Sequence, residues 1–114
     1  MEIHFANQKV QKLCIDKKAA PQRLGSIGAK RLAMRLRTLE AAESLQDVAD
    51  EHKRFHALSR ERKGQFALDI YQGYRLVIKP IFNLENSHLE SEGPSPAVLT
   101  KITVVRIEEI TDYQ

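Results

Sequence analysis

The segment 65–80, QFALDIYQGYRLVIKP, narrows the folds open to this chain more than any other stretch. Phe66, Leu68 and Ile70 fall on one parity, and Gln65, Ala67 and Asp69 on the other. A strand shows successive side chains to opposite faces, so this alternation predicts a half-buried strand over 65–71. Gln72-Gly73 marks a tight turn. Beyond it Tyr74, Leu76 and Ile78 share one face, while Arg75, Val77 and Lys79 share the other. The two runs predict a β-hairpin over 65–71 and 74–80.

Further strands flank the hairpin in sequence. Residues 2–5 alternate and predict a short opening strand, and 54–58 predict another. Residues 101–110, KITVVRIEEI, are β-branched and apolar on both parities, the pattern of a strand in the middle of a sheet. Helices fill the region between. Asn7 is placed to cap a helix through Val10, Leu13 and Cys14, which share a face at three- and four-residue spacing. Pro21 breaks or restarts it, and Gly25 ends it. Ser26 then opens a second helix over 27–43, with Ile27, Leu32, Leu36 and Leu39 along its apolar stripe. Ser44 caps a short following turn that tucks Leu45 and Val48 inward. Residues 81–100, rich in Ser, Glu, Asn and Pro, have no period and predict a long mobile connection. Two helices followed by antiparallel strands make an α+β domain, with the helices on one sheet face and the working surface on the other face or its rim.

Composition removes several function classes. The chain has 114 residues, the size of one small domain spanning 1–114, and is 42% hydrophobic, enough for a core. No run approaches the length of about 18 apolar residues needed to span a membrane, and MEIHFANQKV lacks the basic-then-apolar layout of a secretory signal. The single Cys14 excludes an internal disulfide framework and fits a reducing cytosol. A cytoplasmic location is expected. Residues 1–79 carry 16 Lys and Arg against 9 Asp and Glu, a balance of +7; residues 80–114 carry 2 against 6, a balance of −4. A basic body is compatible with a nucleic-acid surface, although charge alone fits a solvated helix face rich in Lys and Arg as well or better.

Little else offers a chemical site. His52 and His56 would chelate a metal only from one helix, and the alternation after Phe55 argues for loop passing into strand there. No second pair of Cys, His or acidic residues stands at ligand spacing, so no metal is expected; with no Walker-type phosphate loop, no GxGxxG and no nucleophile elbow, neither a phosphate-cradling nucleotide pocket nor a small-molecule cofactor is expected. Cys14, on an apolar helix face, behaves as a small hydrophobe. What remains is His56 beside the basic loop of Arg60, Arg62 and Lys63, with Arg54, Arg75, Lys79 and the terminal Asp112-Tyr113. RNA carries its own nucleophile, the 2′-hydroxyl. An enzyme acting on it must take that proton, stabilise charge on the phosphate and protonate the leaving 5′-oxygen, work suited to a histidine among cations. A tyrosine can stack on a splayed-out base. On residue types alone, the same set reads equally well as a surface histidine, ordinary basic turn residues and a frayed terminus.

Four segments carry a family resemblance: LRTLEAAESLQDV, FHALSRERKGQFALDI, YRLVIKP and the ending KITVVRIEEITDY. Together, and in this order, they resemble the HigB-like branch of the RelE superfamily, the toxins of bacterial toxin–antitoxin pairs. The resemblance covers nearly the whole length. It implies a RelE-like α+β fold, two N-terminal helices packed on a small antiparallel sheet. It implies an endoribonuclease that cuts messenger RNA, mostly on the translating ribosome, and that inhibits translation until silenced by a helix-turn-helix, HigA-like antitoxin. By motif, His56 stands at the family's active-site histidine, Arg60, Arg62 and Lys63 in its basic loop, and Arg75 at its phosphate-contacting strand arginine. Asp112 and Tyr113 stand at the first two residues of its terminal Asp-Tyr-His. Arg54 and Lys79 join the phosphate-binding set. Gln114 departs from the terminal histidine, and the long acidic connection 81–100 is a second departure.

Overall fold

The hairpin forms where the alternation places it. In the computed structural model, which describes residues 1–112, β3 (Phe66–Tyr71) and β4 (Tyr74–Pro80) pair antiparallel across Gln72-Gly73. Both turn residues have positive φ, 43° and 87°. Those are the two left-handed positions of a type I′ turn, whose twist matches the strands it joins. Leu68 faces Leu76, and Leu76 in turn faces Ile110 of β5 (Val104–Asp112). These three side chains are essentially unexposed.

Five strands make one sheet. With β1 (Glu2–Phe5) and β2 (Phe55–Ala57), the order is β1-β5-β4-β3-β2. The expectation of an antiparallel sheet holds for four strands. β1 pairs parallel to β5, with Ile3 opposite Val105 and Phe5 opposite Ile107, so the sheet is mixed. Alternation in 2–5 fixes which side chains turn inward but carries no information on strand direction. A parallel neighbour requires a long crossover, and the rest of the chain supplies it.

The helices cover one face. In α1 (Gln8–Ile15) the Asn7 side chain accepts the Val10 N–H at 2.9 Å, satisfying one of the donors that a helix start leaves open. α2 (Ala19–Ala41) is interrupted at Gly25, whose φ of 76° and ψ of 174° lie outside any helix. Its buried stripe runs Leu24, Gly28, Leu32, Leu39. Ile27, expected on that stripe, is instead 53% exposed. Ile27 is five residues from Leu32 and off its face; Gly28, four residues away, is the residue facing inward, where its lack of a side chain admits Leu24 and Tyr71. The second part ends at Ala41 rather than 43, and α3 (Leu45–Glu51) follows with Leu45 and Val48 fully buried. Two Arg side chains tie α2 to the sheet backbone: Arg23 Nη2 donates to the Ile110 carbonyl and Arg35 Nε to the Asp69 carbonyl, each at 2.8 Å.

The connection after β4 is not the structureless loop its composition predicts. It folds into a 3₁₀ segment, Ser87–Glu92, and a one-turn α4 (Pro96–Leu99) capped by Ser95. Val98, Leu99 and Ile102 insert into the core, and the Leu45 N–H donates to the Ile102 carbonyl at 3.0 Å. The periodicity is hidden because only the last few residues of the connection are apolar at the right spacing. The molecule is a compact α+β domain with a five-stranded mixed sheet. Among the described residues no helix is long and apolar enough to cross a membrane.

Candidate functional site on the open sheet face

The face away from the helices is built by register. His56 lies opposite Ala67, Ala67 opposite Val77, and Val77 opposite Glu109, so one row crosses β2, β3, β4 and β5. The next row sets Asp69 opposite Arg75, and Arg75 opposite Thr111. Ala67 and Val77 are fully buried although they point away from the helices, so side chains on this face cover them. Arg62 is positioned to do so. It reaches from the β2–β3 loop to an ion pair with Glu109 on β5, and its Nη1 donates to Gln65 Oε1 at 2.9 Å.

His56 and the strand cations form the densest chemical cluster. Asp69 is the hub. Its Oδ2 lies 3.2 Å from Arg54 Nη1, and its Oδ1 lies 3.1 Å from Arg75 Nε. The second contact is an ion pair by distance but misses hydrogen-bond alignment. Ala67 and Asp69 are two residues apart on one strand face, so His56 lies diagonally adjacent to this carboxylate and its two guanidinium groups. His56 is exposed, with Nδ1 3.3 Å from the Arg54 carbonyl. The arrangement offers an accessible imidazole beside an excess of positive charge, a setting for an anion that must be held while a proton moves.

The sequence-derived residues divide among three places. His56, Arg54, Arg75 and Arg62 share the open face. Arg60, Lys63 and Lys79 line a groove of about 740 Å³ at the β2–β3 loop end of the sheet. Asp112 is set apart: its register partner is Tyr74, not Arg75, and Tyr74 points to the helix side, where its hydroxyl donates to the Arg23 carbonyl at 3.4 Å. Strand alternation puts Asp112 on that same side, across the sheet from His56. Tyr113 and Gln114 lie outside the described residues.

Two acidic residues were not singled out from the sequence, Asp69 and Glu109, and both hold site arginines. A signal for Asp69 exists. The hairpin alternation puts it on the same polar face as Arg75, so a carboxylate and a guanidinium share a face of adjacent strands. Glu109 could not be placed this way, because a bulge between Val77 and Ile78 shifts the β4–β5 register by one residue. Cys14 takes no part: burial pushes its thiol up to about 11, leaving it protonated and unreactive near neutral pH. Neither a scan of protein-family models nor a search of characterised proteins finds a match to this chain.

Proposed function

We propose that the chain is a ribonuclease toxin of the HigB-like, RelE-superfamily kind, cutting messenger RNA on the ribosome and held in check by a helix-turn-helix antitoxin. The observation that carries this reading is the exposed His56 beside the Arg54–Asp69–Arg75 cluster on the uncovered sheet face. In the proposed reaction the substrate's 2′-oxygen attacks the adjacent phosphorus. The bond from phosphorus to the 5′-oxygen breaks, and a 2′,3′-cyclic phosphate and a 5′-hydroxyl result. His56 performs one of the two proton transfers, removing the 2′-hydroxyl proton or supplying the one the 5′-oxygen takes up. Arg75 and Arg54 stabilise charge on the non-bridging oxygens, with Asp69 fixing where they stand. The nucleophile belongs to the substrate, so the proposed chemistry needs no metal.

A second reading is favoured by one observation, the position of Asp112 opposite Tyr74, away from His56. On it the chain is a catalytically weakened relative that binds RNA or its antitoxin without cutting. Cleavage of a defined message on programmed ribosomes separates the two. The toxin reading expects cuts by the native chain and a fall of about 10²–10⁴-fold in His56→Ala. Cleavage unchanged by that substitution removes His56 from the chemistry. No cleavage by folded native protein establishes the binding reading instead.

A further inference from the structure

A groove lies beside the basic loop, and His56 is not among its lining residues. It exists because the 81–102 connection folds back toward the sheet end. Its apolar lining includes Phe66, Phe82 and Leu89. Its lining includes Arg60 and Lys63 from the β2–β3 loop, Lys79 from β4, and Glu90 and Glu92 from the 3₁₀ segment. About 740 Å³ falls within the range of pockets that hold small organic ligands, roughly 300–1,000 Å³.

The wall chemistry narrows the occupant. The cations require an anionic group. The carboxylates, on a different element, repel that group and accept N–H donors. Aromatic and aliphatic residues between them take a flat, weakly polar body. A nucleotide has this polarity, with phosphate at one end, an aromatic ring in the middle and, for three of the four bases, an exocyclic amine at the far edge. Arg60 adds a further observation. It is one of two described non-glycine residues with positive φ, at 57°, a conformation that costs about 1 kcal/mol or more and persists where surrounding structure imposes it. That backbone sits on the groove wall.

Position completes the argument. β2 is the edge strand of the sheet and only three residues long. His56 lies on its open-face side, and Ala57, the next residue, lines the groove. Successive side chains of a strand point to opposite faces, so an RNA strand that wraps round this short edge reaches both sites.

We propose that the groove is a specificity pocket for one unstacked, amino-bearing nucleobase of the RNA strand, its phosphate held by Arg60 and Lys63 and its amine by Glu90 and Glu92. This rests on the reading of the chain as an RNA-acting enzyme and deepens it by naming what selects the cut position. The test is equilibrium binding of GMP, AMP, CMP, UMP and ribose 5-phosphate to the full chain by calorimetry, which involves no cleavage. The three amino-bearing nucleotides should bind about tenfold or more tightly than UMP or ribose 5-phosphate, the size of one charge-assisted hydrogen bond. Glu90→Ala with Glu92→Ala should abolish the ranking while leaving ribose 5-phosphate binding equal or stronger, because repulsion of the phosphate is also removed. Equal binding of all five ligands reduces the groove to a phosphate site and overturns the proposal, as does no binding at millimolar concentration. Ribosomal cleavage by the same preparation is scored separately. Cutting without nucleotide ranking sinks the pocket and keeps the ribonuclease; ranking without cutting keeps the pocket and sinks the ribonuclease.

Discussion

Gly28 sets how closely α2 folds onto its own first turn and onto β3. A methyl group there would meet Leu24 Cβ at 2.7 Å and Tyr71 Cδ2 at 3.6 Å. Two effects compete in Gly28→Ala. Alanine is intrinsically the better helix former by about 1 kcal/mol. Against this, 2.7 Å is well inside carbon–carbon contact, and the obstacle is a buried Cβ next to the backbone, not a flexible chain end. Overpacking of this kind costs about 1–3 kcal/mol, so the substitution should destabilise. Urea denaturation of the two proteins decides it; a midpoint unchanged or raised in Gly28→Ala would mean that the Gly25 break relaxes freely. The same residue shows what a sequence hides. The expected stripe begins at Ile27, five residues from Leu32 and therefore off its face; the inward position four residues away is a glycine, the one residue type that no hydrophobic pattern marks.

Among the elements, strands were legible and their registers were not. Alternation located β3, β4 and the I′ turn, because period two and turn chemistry are local. Counting back from a two-residue turn pairs Ile70 with Arg75, which would set an apolar residue of one face against a cation of the other. A register shift between Asp69 and Tyr71 resolves the conflict and puts Asp69 opposite Arg75. The bulge thus sets Asp69 directly opposite Arg75, and the only mark of it in the sequence is this conflict between the turn and the alternation. The order in the connection 81–100 is hidden for the opposite reason. Its polar residues are many, but three apolar ones near its end anchor it. Leu99, 6% exposed, should therefore behave as core: Leu99→Ala is expected to lose about 2–5 kcal/mol of stability. Leu84, 97% exposed on the same connection, should change stability by no more than about 0.5 kcal/mol when replaced by Ala. Chemical denaturation of both variants measures this, and an equally small loss in each would show that α4 is not docked.

For the whole molecule, the charge asymmetry becomes meaningful only once ion pairs are assigned. The sheet brings one acid of 80–114 to the basic segment, Glu109 on Arg62, while Asp69, shared by Arg54 and Arg75, lies within 1–79 and is already counted in its balance of +7. Arg60, Lys63 and Lys79 make no ion pair among the described residues, and all three border the groove. Their charge is open to a phosphate that enters the groove. Affinity for a single strand falls with salt at a slope of about 0.7 per phosphate neutralised. Measured in a His56→Ala background, which prevents cutting under the proposed mechanism, Lys63→Gln should flatten that slope by about 0.7. Arg62→Gln should flatten it by clearly less, because its partner Glu109 is left behind as an uncompensated negative charge and the pair contributed little net positive charge to begin with. Binding itself should still weaken in Arg62→Gln, since the freed carboxylate repels the strand. Equal flattening in the two variants would show that the Arg62–Glu109 pair opens when RNA arrives. The loop arginine would then be a phosphate ligand released from β5 by its substrate, and the closed pair would be the resting state of the open face.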